Sequence, residues 1–122
     1  MRWDTDRRRD DRLRFCMDIC RGIFTLEALD EEYEIEEVSD ISLAGMGLEM
    51  SSYLVPETPV KVIYEDSDHR IVICGTVIWC EDGAATHGNY QFGIVFDYSS
   101  EDASSRLLQV LGDCFEQGDL FF

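Results

Sequence analysis

Short runs in which apolar and polar residues alternate constrain the fold of this chain more than any other feature. Residues 13–20 and 46–50 place an apolar side chain at every second position, which is typical of a β-strand with one buried face. Residues 60–64, 70–80 and 90–96 are rich in Val, Ile and aromatic residues, and polar or glycine-containing turns separate them. The pattern predicts a mainly β fold of about six short antiparallel strands that close into a barrel.

Residues 23–29 form a further apolar stretch whose structure the pattern alone leaves open. Its last part and the acidic residues that follow, 26–32, favour a helix on propensity. We expect a strand end and an acidic turn there instead, because an isolated helix of that length is not stable.

The sequence after residue 97 changes to a helical pattern. Ser99 and Asp102 have the spacing of a capping box, with Asp in the place of the usual Glu. The apolar residues at positions 103, 107, 108, 110 and 111 lie near one helical face, and Gly112 suits a C-terminal cap. We therefore predict a C-terminal helix that ends at Gly112 and covers one opening of the barrel.

The 122 residues have the length of one domain. We expect a flexible N-terminal arm at residues 1–12, the barrel with its helix at residues 13–112, and a tail at residues 113–122 that ends in Phe121 and Phe122. The tail can pack on the body or on another subunit, so monomer and homodimer both stay open. No apolar run approaches the ~20 residues of a transmembrane helix, and a secretion signal is absent. We expect a cytoplasmic protein without membrane insertion.

Charge is distributed unevenly along the chain. The net charge is −16, yet the first 14 residues carry +2 and the other 108 carry −18. Such an acidic body argues against DNA or RNA as a partner, because nucleic-acid binding requires a positive face. A local basic arm indicates a binding site for a small anionic ligand. The alternative is a solvated tail attached to an acidic domain that keeps the protein soluble.

Two polar motifs stand out against this background. Arg8 and Arg12 form Arg-x-x-x-Arg, and 28 positions after Arg12 the residues Asp40, Ser42 and Gly45 form Asp-x-Ser-x-x-Gly. In this order, followed by strands and a final helix, the motifs resemble those of the PilZ domain family over roughly residues 7–111. The resemblance implies a PilZ-type β-barrel with a flexible arm, and a bacterial receptor for the second messenger cyclic di-GMP.

The resemblance also implies a role for each motif residue. The guanidinium groups of Arg8 and Arg12 would form bidentate hydrogen bonds with phosphate oxygens or with the guanine edge, or would stack on the base. Asp40 would accept hydrogen bonds from guanine N1–H and N2–H₂, and Ser42 would place a hydroxyl near base or phosphate. Gly45 would allow close backbone approach or a backbone angle that other residues avoid.

Arg7 and Arg9 are further candidates for the ligand site. A basic residue at the position of Arg7 accompanies, in the family, two intercalated ligand molecules in one site. The alternative for both arginines is a general attraction to phosphate.

The function implied is that of a receptor that changes conformation on binding cyclic di-GMP and signals to an unidentified effector protein in trans. The alternative is a PilZ-like interaction module with a weak or vestigial nucleotide site, which the aspartates among the arginines favour. Taken without the arginines, Asp40 and Ser42 also fit a turn that hydrogen-bonds its own backbone. An oligonucleotide-binding barrel requires a basic groove, which this acidic body does not provide.

Other chemistry has little support in the sequence. The five cysteines include no Cys-x-x-Cys pair, and His69 and His87 share no ligand-spaced cluster. We expect free thiols, no metal site and no cofactor. No nucleophile–base pair or phosphate-cradling glycine loop is present, so we do not expect an enzyme.

Overall fold

The computed structural model describes the backbone of residues 13–14, 22–82 and 88–118, and the side chains of residues 22–82 and 88–112. These residues form one antiparallel sheet and one long helix. The strands are β1 Leu13–Arg14, β2 Ile23–Ala28, β3 Glu31–Glu34, β4 Glu37–Ile41, β5 Gly45–Met50, β6 Pro59–Glu65, β7 Arg70–Asp82 and β8 Tyr90–Phe96. A 3-10 turn, Tyr98–Ser100, leads into helix α1, Glu101–Gly118.

The sheet curls so that its two ends come together. Its strand order is β1-β4-β5-β8-β7-β6-β2-β3, and every pairing is antiparallel. The N–H of Ile35 donates to the carbonyl of Phe24 on β2 (3.4 Å), whereas the N–H of Glu36 donates to the carbonyl of Glu49 on β5 (2.8 Å). Two consecutive residues therefore bond to strands near opposite ends of the sheet, and the predicted antiparallel barrel-type fold is confirmed.

The described residues contain eight strands rather than the six that were predicted. The acidic stretch after β2 is a tight hairpin, because Leu29 and Asp30 both have positive φ (54° and 65°), as in a two-residue turn of type I′. The predicted strand end and acidic turn are confirmed, but the glutamates after the turn form the extra strand β3. Strand β1, Leu13–Arg14, falls within the strand predicted at residues 13–20, and residues 15–20 lie outside the described residues.

The core lies inside the curled sheet. Met46, Leu48 and Met50 of β5 are at most 1% exposed, and they alternate with residues on the outer face of the strand. Phe92, Ile94 and Phe96 of β8 fill the same interior. Leu107 and Leu111 of helix α1 are fully buried against this cluster, so the helix closes the core as predicted.

Helix α1 is longer than the sequence predicted. It continues through Gly112 to Gly118, so Gly112 as its end was wrong. A glycine inside a helix costs only about 1 kcal/mol, and no proline follows to stop the helix. Residues 113–118 of the predicted tail are thus helical, whereas residues 119–122 lie outside the described residues.

The start of the helix also differs in detail. The α-helix begins at Glu101, with Glu101 and Asp102 in its first turn, where acidic side chains complement the helix dipole. Ser100 rather than Ser99 is the buried serine, and its Oγ accepts a hydrogen bond from the N–H of Cys74 on β7 (2.9 Å). The helix start is therefore bonded to the sheet. No helix in the described part of the chain is long and apolar enough to cross a membrane.

Candidate functional site

The loop between β4 and β5 carries the middle of the Asp-x-Ser-x-x-Gly motif, and its serine is turned inward. Ser42 is fully buried, and its N–H donates to the carbonyl of Gly45 (2.8 Å). The Ser42 hydroxyl accepts a hydrogen bond from the N–H of Ala44 (3.3 Å) and lies 3.4 Å from the Gly45 carbonyl. The self-bonded turn, which the sequence left open as an alternative, is therefore formed, and Ser42 shapes the loop from within.

Two distant elements hold the same loop from outside. The N–H of Phe96, at the end of β8, donates to the carbonyl of Ala44 (2.8 Å). The hydroxyl of Ser104 on helix α1 donates to the carbonyl of Leu43 (3.0 Å). We call residues 42–44 the motif loop; its backbone is bonded to itself, to the sheet and to the helix.

Gly45 is required by the approach of a neighbouring strand. A Cβ at this position would lie 2.3 Å from the backbone carbonyl oxygen of Ile94 on β8. Gly45 is not among the residues with positive φ, so no unusual backbone angle is involved. Of the two reasons predicted for this glycine, close approach is the one that the structure shows, and the approaching group belongs to β8.

Asp40 lies on β4, where its side chain is half-buried on the outer side of the sheet. Its Oδ1 accepts a hydrogen bond from the N–H of Gly47 on β5 (3.2 Å). A register shift between Val38 and Asp40 marks an irregularity in the pairing of β4 with β5. A Cβ at Gly47 would lie 2.7 Å from Ser39 Oγ and 3.4 Å from Asp40 Oδ1, so the glycine leaves room for both side chains.

Asp40 stands at one end of a row that crosses four strands. In register, Asp40 faces Gly47, Gly47 faces Gly93 of β8, and Gly93 faces Trp79 of β7. Neighbouring strands lie about 4.8 Å apart, so the row is roughly 14 Å long. We call these four residues the glycine trough, because the two central positions have no side chain.

Trp79 closes the far end of the glycine trough. A Cβ at Gly93 would lie 2.3 Å from Trp79 Nε1, so the indole ring lies directly over this glycine. Trp79 as a whole is still 41% exposed. A register shift between Val77 and Trp79 brings the ring opposite Gly93.

The rows on either side of the glycine trough differ in charge. On one side lie Gly45, the exposed Val95 and Thr76. On the other side the register pairs Glu37 with Glu49, Glu49 with Gln91 and Gln91 with Glu81, which makes an acidic border.

Strand β1 borders the glycine trough at the Asp40 end. Leu13 faces Ile41 and Arg14 faces Asp40 in an antiparallel pair. Leu13 follows Arg12 directly in the sequence. The predicted site residues Arg7, Arg8, Arg9 and Arg12 themselves lie outside the described residues.

Three residues of this region were not found from the sequence as parts of a site. The sequence assigns no role to Gly47 or Gly93, and strand alternation alone suggests for Trp79 only a packing role inside the barrel or at its edge. The register shift after Val77 changes which face of β7 points outward, and strand parity alone does not reveal such a shift. The signal that was available is the pair of glycines, since glycine inside a strand marks a close approach or a bulge.

A second polar cluster occupies the turn between β6 and β7. Asp66 Oδ2 accepts a hydrogen bond from the hydroxyl of Tyr64 (2.7 Å), and Oδ1 accepts from the N–H groups of Asp68 (2.8 Å) and His69 (2.7 Å). Burial raises the pKa of Asp66, but the bonds from Tyr64, Asp68 and His69 outweigh it and lower the pKa to about 2. His69 Nδ1 also lies 3.1 Å from Asp66 Oδ1.

The part of the chain that the structure describes contains no cluster of metal-ligating side chains. No group of three or more His, Cys, Asp or Glu side chains there has the geometry to hold a metal ion. Cys74 and Cys80 are free thiols. His87 lies outside the described residues.

Comparison with known proteins agrees with the fold. The model of the PilZ domain family matches residues 6–113, which is most of the chain. The chain belongs to the PilZ domain family. No curated protein sequence shows a significant match.

Solved PilZ structures share the fold at low sequence identity. The PilZ domain of YcgR from Escherichia coli, solved with c-di-GMP, superposes with a TM-score of 0.64 at 13% identity, over 87% of this chain and 89% of that chain. The PilZ domain of CeSA from a cellulose-synthesizing bacterium gives 0.60 at 16% identity, over 83% and 97%. The K. pneumonia MrkH–c-di-GMP complex gives 0.64 at 19% identity, over 89% of this chain but only 52% of MrkH.

Proposed function

We propose that this PilZ domain is a receptor for cyclic di-GMP and that it signals to a partner protein when the ligand binds. The observation that carries the proposal is the pairing of β1 with β4. Arg12 is covalently bonded to Leu13, and Leu13 faces Ile41 beside Asp40. Strand β1, which directly follows Arg12 in the sequence, therefore lies at the Asp40 edge of the glycine trough, and this supports a site that both motifs share.

The surface next to that edge suits a guanine dinucleotide. The Asp40 carboxylate can accept hydrogen bonds from guanine N1–H and N2–H₂. Arginine can donate two parallel hydrogen bonds to phosphate oxygens or to O6 and N7 of guanine. Gly47 carries no side chain beside Asp40, and the indole ring of Trp79, which covers Gly93, provides a stacking surface at the far end. Two solved relatives of the same fold, YcgR and MrkH, contain c-di-GMP.

The described residues have different tasks in this proposal. Asp40 and Trp79 contact the ligand, whereas the buried Ser42 and the close-packed Gly45 fix the backbone that presents them. Arg8 and Arg12 bind the phosphates, and Arg7 and Arg9 add positive charge close to them. The site thus divides into a rigid face on the sheet and an arginine-rich segment that joins it.

Ligand binding changes the surface of the protein through the arginine-rich segment. Ordering such a segment costs on the order of 2–5 kcal/mol, which the charged contacts with two phosphates must exceed. The ligand favours the ordered state by its additional affinity for it. The partner protein then recognises the ordered segment together with the neighbouring sheet face.

Calorimetric titration tests the proposal. The wild-type chain is expected to bind cyclic di-GMP, and the double variant Arg8→Ala/Arg12→Ala is expected to lose the binding heat. Arg70→Ala/Arg106→Ala is the matched control, because it removes the same two charges from exposed arginines, Arg70 at the β6–β7 turn, 3.9 Å from Glu65, and Arg106 on helix α1. Cyclic di-AMP is the control ligand and is expected to bind more weakly. Adenine lacks the N1–H and N2–H₂ groups from which Asp40 would accept hydrogen bonds.

Two results would contradict the receptor function. One is the absence of heat and of a thermal shift for the wild-type chain at high micromolar cyclic di-GMP. The other is equal loss of binding in the Arg70/Arg106 control and in the Arg8/Arg12 variant, which would mean that only net charge matters.

A further inference from the structure

Ser104 connects helix α1 to the motif loop across a large separation in sequence. The side chain is 1% exposed, and its hydroxyl donates to the carbonyl of Leu43, 61 residues earlier (3.0 Å). Neither motif of the sequence includes Ser104, and the helix was predicted only as a cover for the barrel. The bond nevertheless ends on the loop that joins Asp40 to Gly45.

The Ser104 hydroxyl has two acceptors at nearly equal distance. Besides the Leu43 carbonyl, the carbonyl of Glu101 in the preceding helical turn lies 3.1 Å away. A hydroxyl has only one proton to donate, and serine in a helix commonly donates it to a carbonyl of the preceding turn. Ser104 therefore has two arrangements, one that bonds the motif loop and one that bonds only its own helix.

The helix beyond Ser104 is fixed in the core. Leu107 and Leu111 follow at three and seven residues, on the same helical face, and both are fully buried. Ahead of Ser104, the hydroxyl of Ser100 accepts the N–H of Cys74 on β7. A change at Ser104 thus acts on a helix segment that is packed on both sides, and not on a loose end.

We propose that Ser104 is a positioning residue of the nucleotide site, and that its bond to Leu43 links ligand binding to the order of helix α1. This inference rests on the proposed function. Holding the motif loop in place before the ligand arrives lowers the ordering cost of binding. Because linkage is reciprocal, a ligand that orders the motif loop also favours the arrangement in which Ser104 bonds Leu43.

The test compares Ser104→Ala with Ser105→Ala. Ser105 is the adjacent exposed serine on the same helix, so the control makes the same chemical change away from the motif loop. Thermal melting first checks that each variant is folded. Affinity for cyclic di-GMP is then measured by calorimetry, and hydrogen–deuterium exchange of residues 101–112 is measured with and without cyclic di-GMP.

The expected results differ between the two variants. The affinity of Ser104→Ala falls about fivefold, the size of one lost hydrogen bond, whereas Ser105→Ala binds as the wild type does. In the wild type and the control, cyclic di-GMP slows exchange in residues 101–112, and in Ser104→Ala it does not. Ser104→Cys, which keeps a weak donor, lies between the two.

Two outcomes overturn the inference, and they can be told apart. If Ser104→Ala lowers the melting temperature but binds with unchanged affinity, Ser104 is a structural residue only, and the receptor function stands. If the wild type gives no binding heat, the receptor function fails and this inference fails with it.

Discussion

Two turns of the barrel use a short polar side chain in different ways. In the β6–β7 turn, Asp66 bonds Tyr64, Asp68 and His69, all within three residues in sequence. In the motif loop, the local bonds of Ser42 are joined by bonds from Phe96 and Ser104. The first turn is a local unit, whereas the second depends on elements that lie far away in sequence.

The difference teaches which turn can transmit a signal. A turn whose side-chain hydrogen bonds all close within a few residues has few bonds through which its movement can reach the rest of the barrel. A loop bonded to β8 and to helix α1 cannot change without affecting both. A ligand site placed beside the second kind of turn has a route to a distant surface, and the substitutions below test this contrast.

The largest effect is expected for Gly45→Ala, which breaks the start of β5. The new Cβ would lie 2.3 Å from the Ile94 carbonyl oxygen, and backbone on the neighbouring strand has no flexible end that can move aside. We expect a loss of about 3 kcal/mol in the free energy of unfolding, measured by urea denaturation. Gly112→Ala is the control: nothing lies within 4 Å of its Cβ, so an equal loss there would contradict the prediction.

Asp66→Ala tests the local turn. Removing the carboxylate takes away the partner of the Tyr64 hydroxyl and of two backbone N–H groups, so we expect a loss of about 2 kcal/mol in stability. Affinity for cyclic di-GMP should not change, because the turn is a separate unit. Asp68→Ala removes an exposed aspartate from the same turn and serves as the control; a weaker ligand affinity in Asp66→Ala alone would show that the two turns are coupled.

The contribution of the same turn to stability is expected to depend on pH, which acid titration of the wild type can measure. Because the folded state lowers the pKa of Asp66 to about 2, its stabilising contribution is complete above the unfolded-state pKa of about 4. The contribution is lost as the pH falls from there towards 2. The stability gap between wild type and Asp66→Asn should therefore narrow over this window, and a gap that stays constant would show that Asp66 does not titrate as described.

Trp79→Ala tests the far end of the glycine trough. Stacking of a base on an aromatic ring contributes about 1–3 kcal/mol, so we expect roughly tenfold weaker binding of cyclic di-GMP by calorimetry. Ile78→Ala changes the adjacent exposed residue in the same irregular stretch of β7 and is the control. Trp79→Phe should recover part of the affinity. If all three variants bind cyclic di-GMP as tightly as the wild type does, Trp79 does not contact the ligand.

The smallest effect is expected for Glu49→Gln in the acidic border. Removing one negative charge near an anionic ligand should raise the affinity about twofold at low salt, the size of a typical exposed charge interaction. Since salt screens such interactions, the gain should disappear as ionic strength increases. A gain that persists in high salt would point to a direct contact instead of a field effect.

The sequence predicted the fold through features that are local. Alternation identified β5 and β8 because their inward residues, such as Met46 and Phe92, form uninterrupted rows in the core. It missed β3, whose glutamates resemble a turn, and it ended the helix at Gly112, since composition alone does not reveal how far packing carries a helix.

The candidate site was predictable only in its motif residues. Asp40, Ser42 and Gly45 were found, but the burial of Ser42 and the reason for Gly45 depend on β8 and on the backbone of the motif loop. Gly93 and Trp79 meet across two strands only after a register shift, and Ser104 meets Leu43 only after the helix has docked. These contacts are set by tertiary packing, which short sequence patterns do not encode.

The seam of the barrel has a mechanical consequence. Among the described strands, β3 has no ladder to β1 or β4, and the peptide groups of Ile35 and Glu36 bridge the gap between the two ends of the sheet. The closed shape is therefore held by this two-residue connection together with the core packing inside the sheet and the helix across it. Lengthening the connection with flexible residues would weaken closure along this one line while each hairpin kept its own bonds.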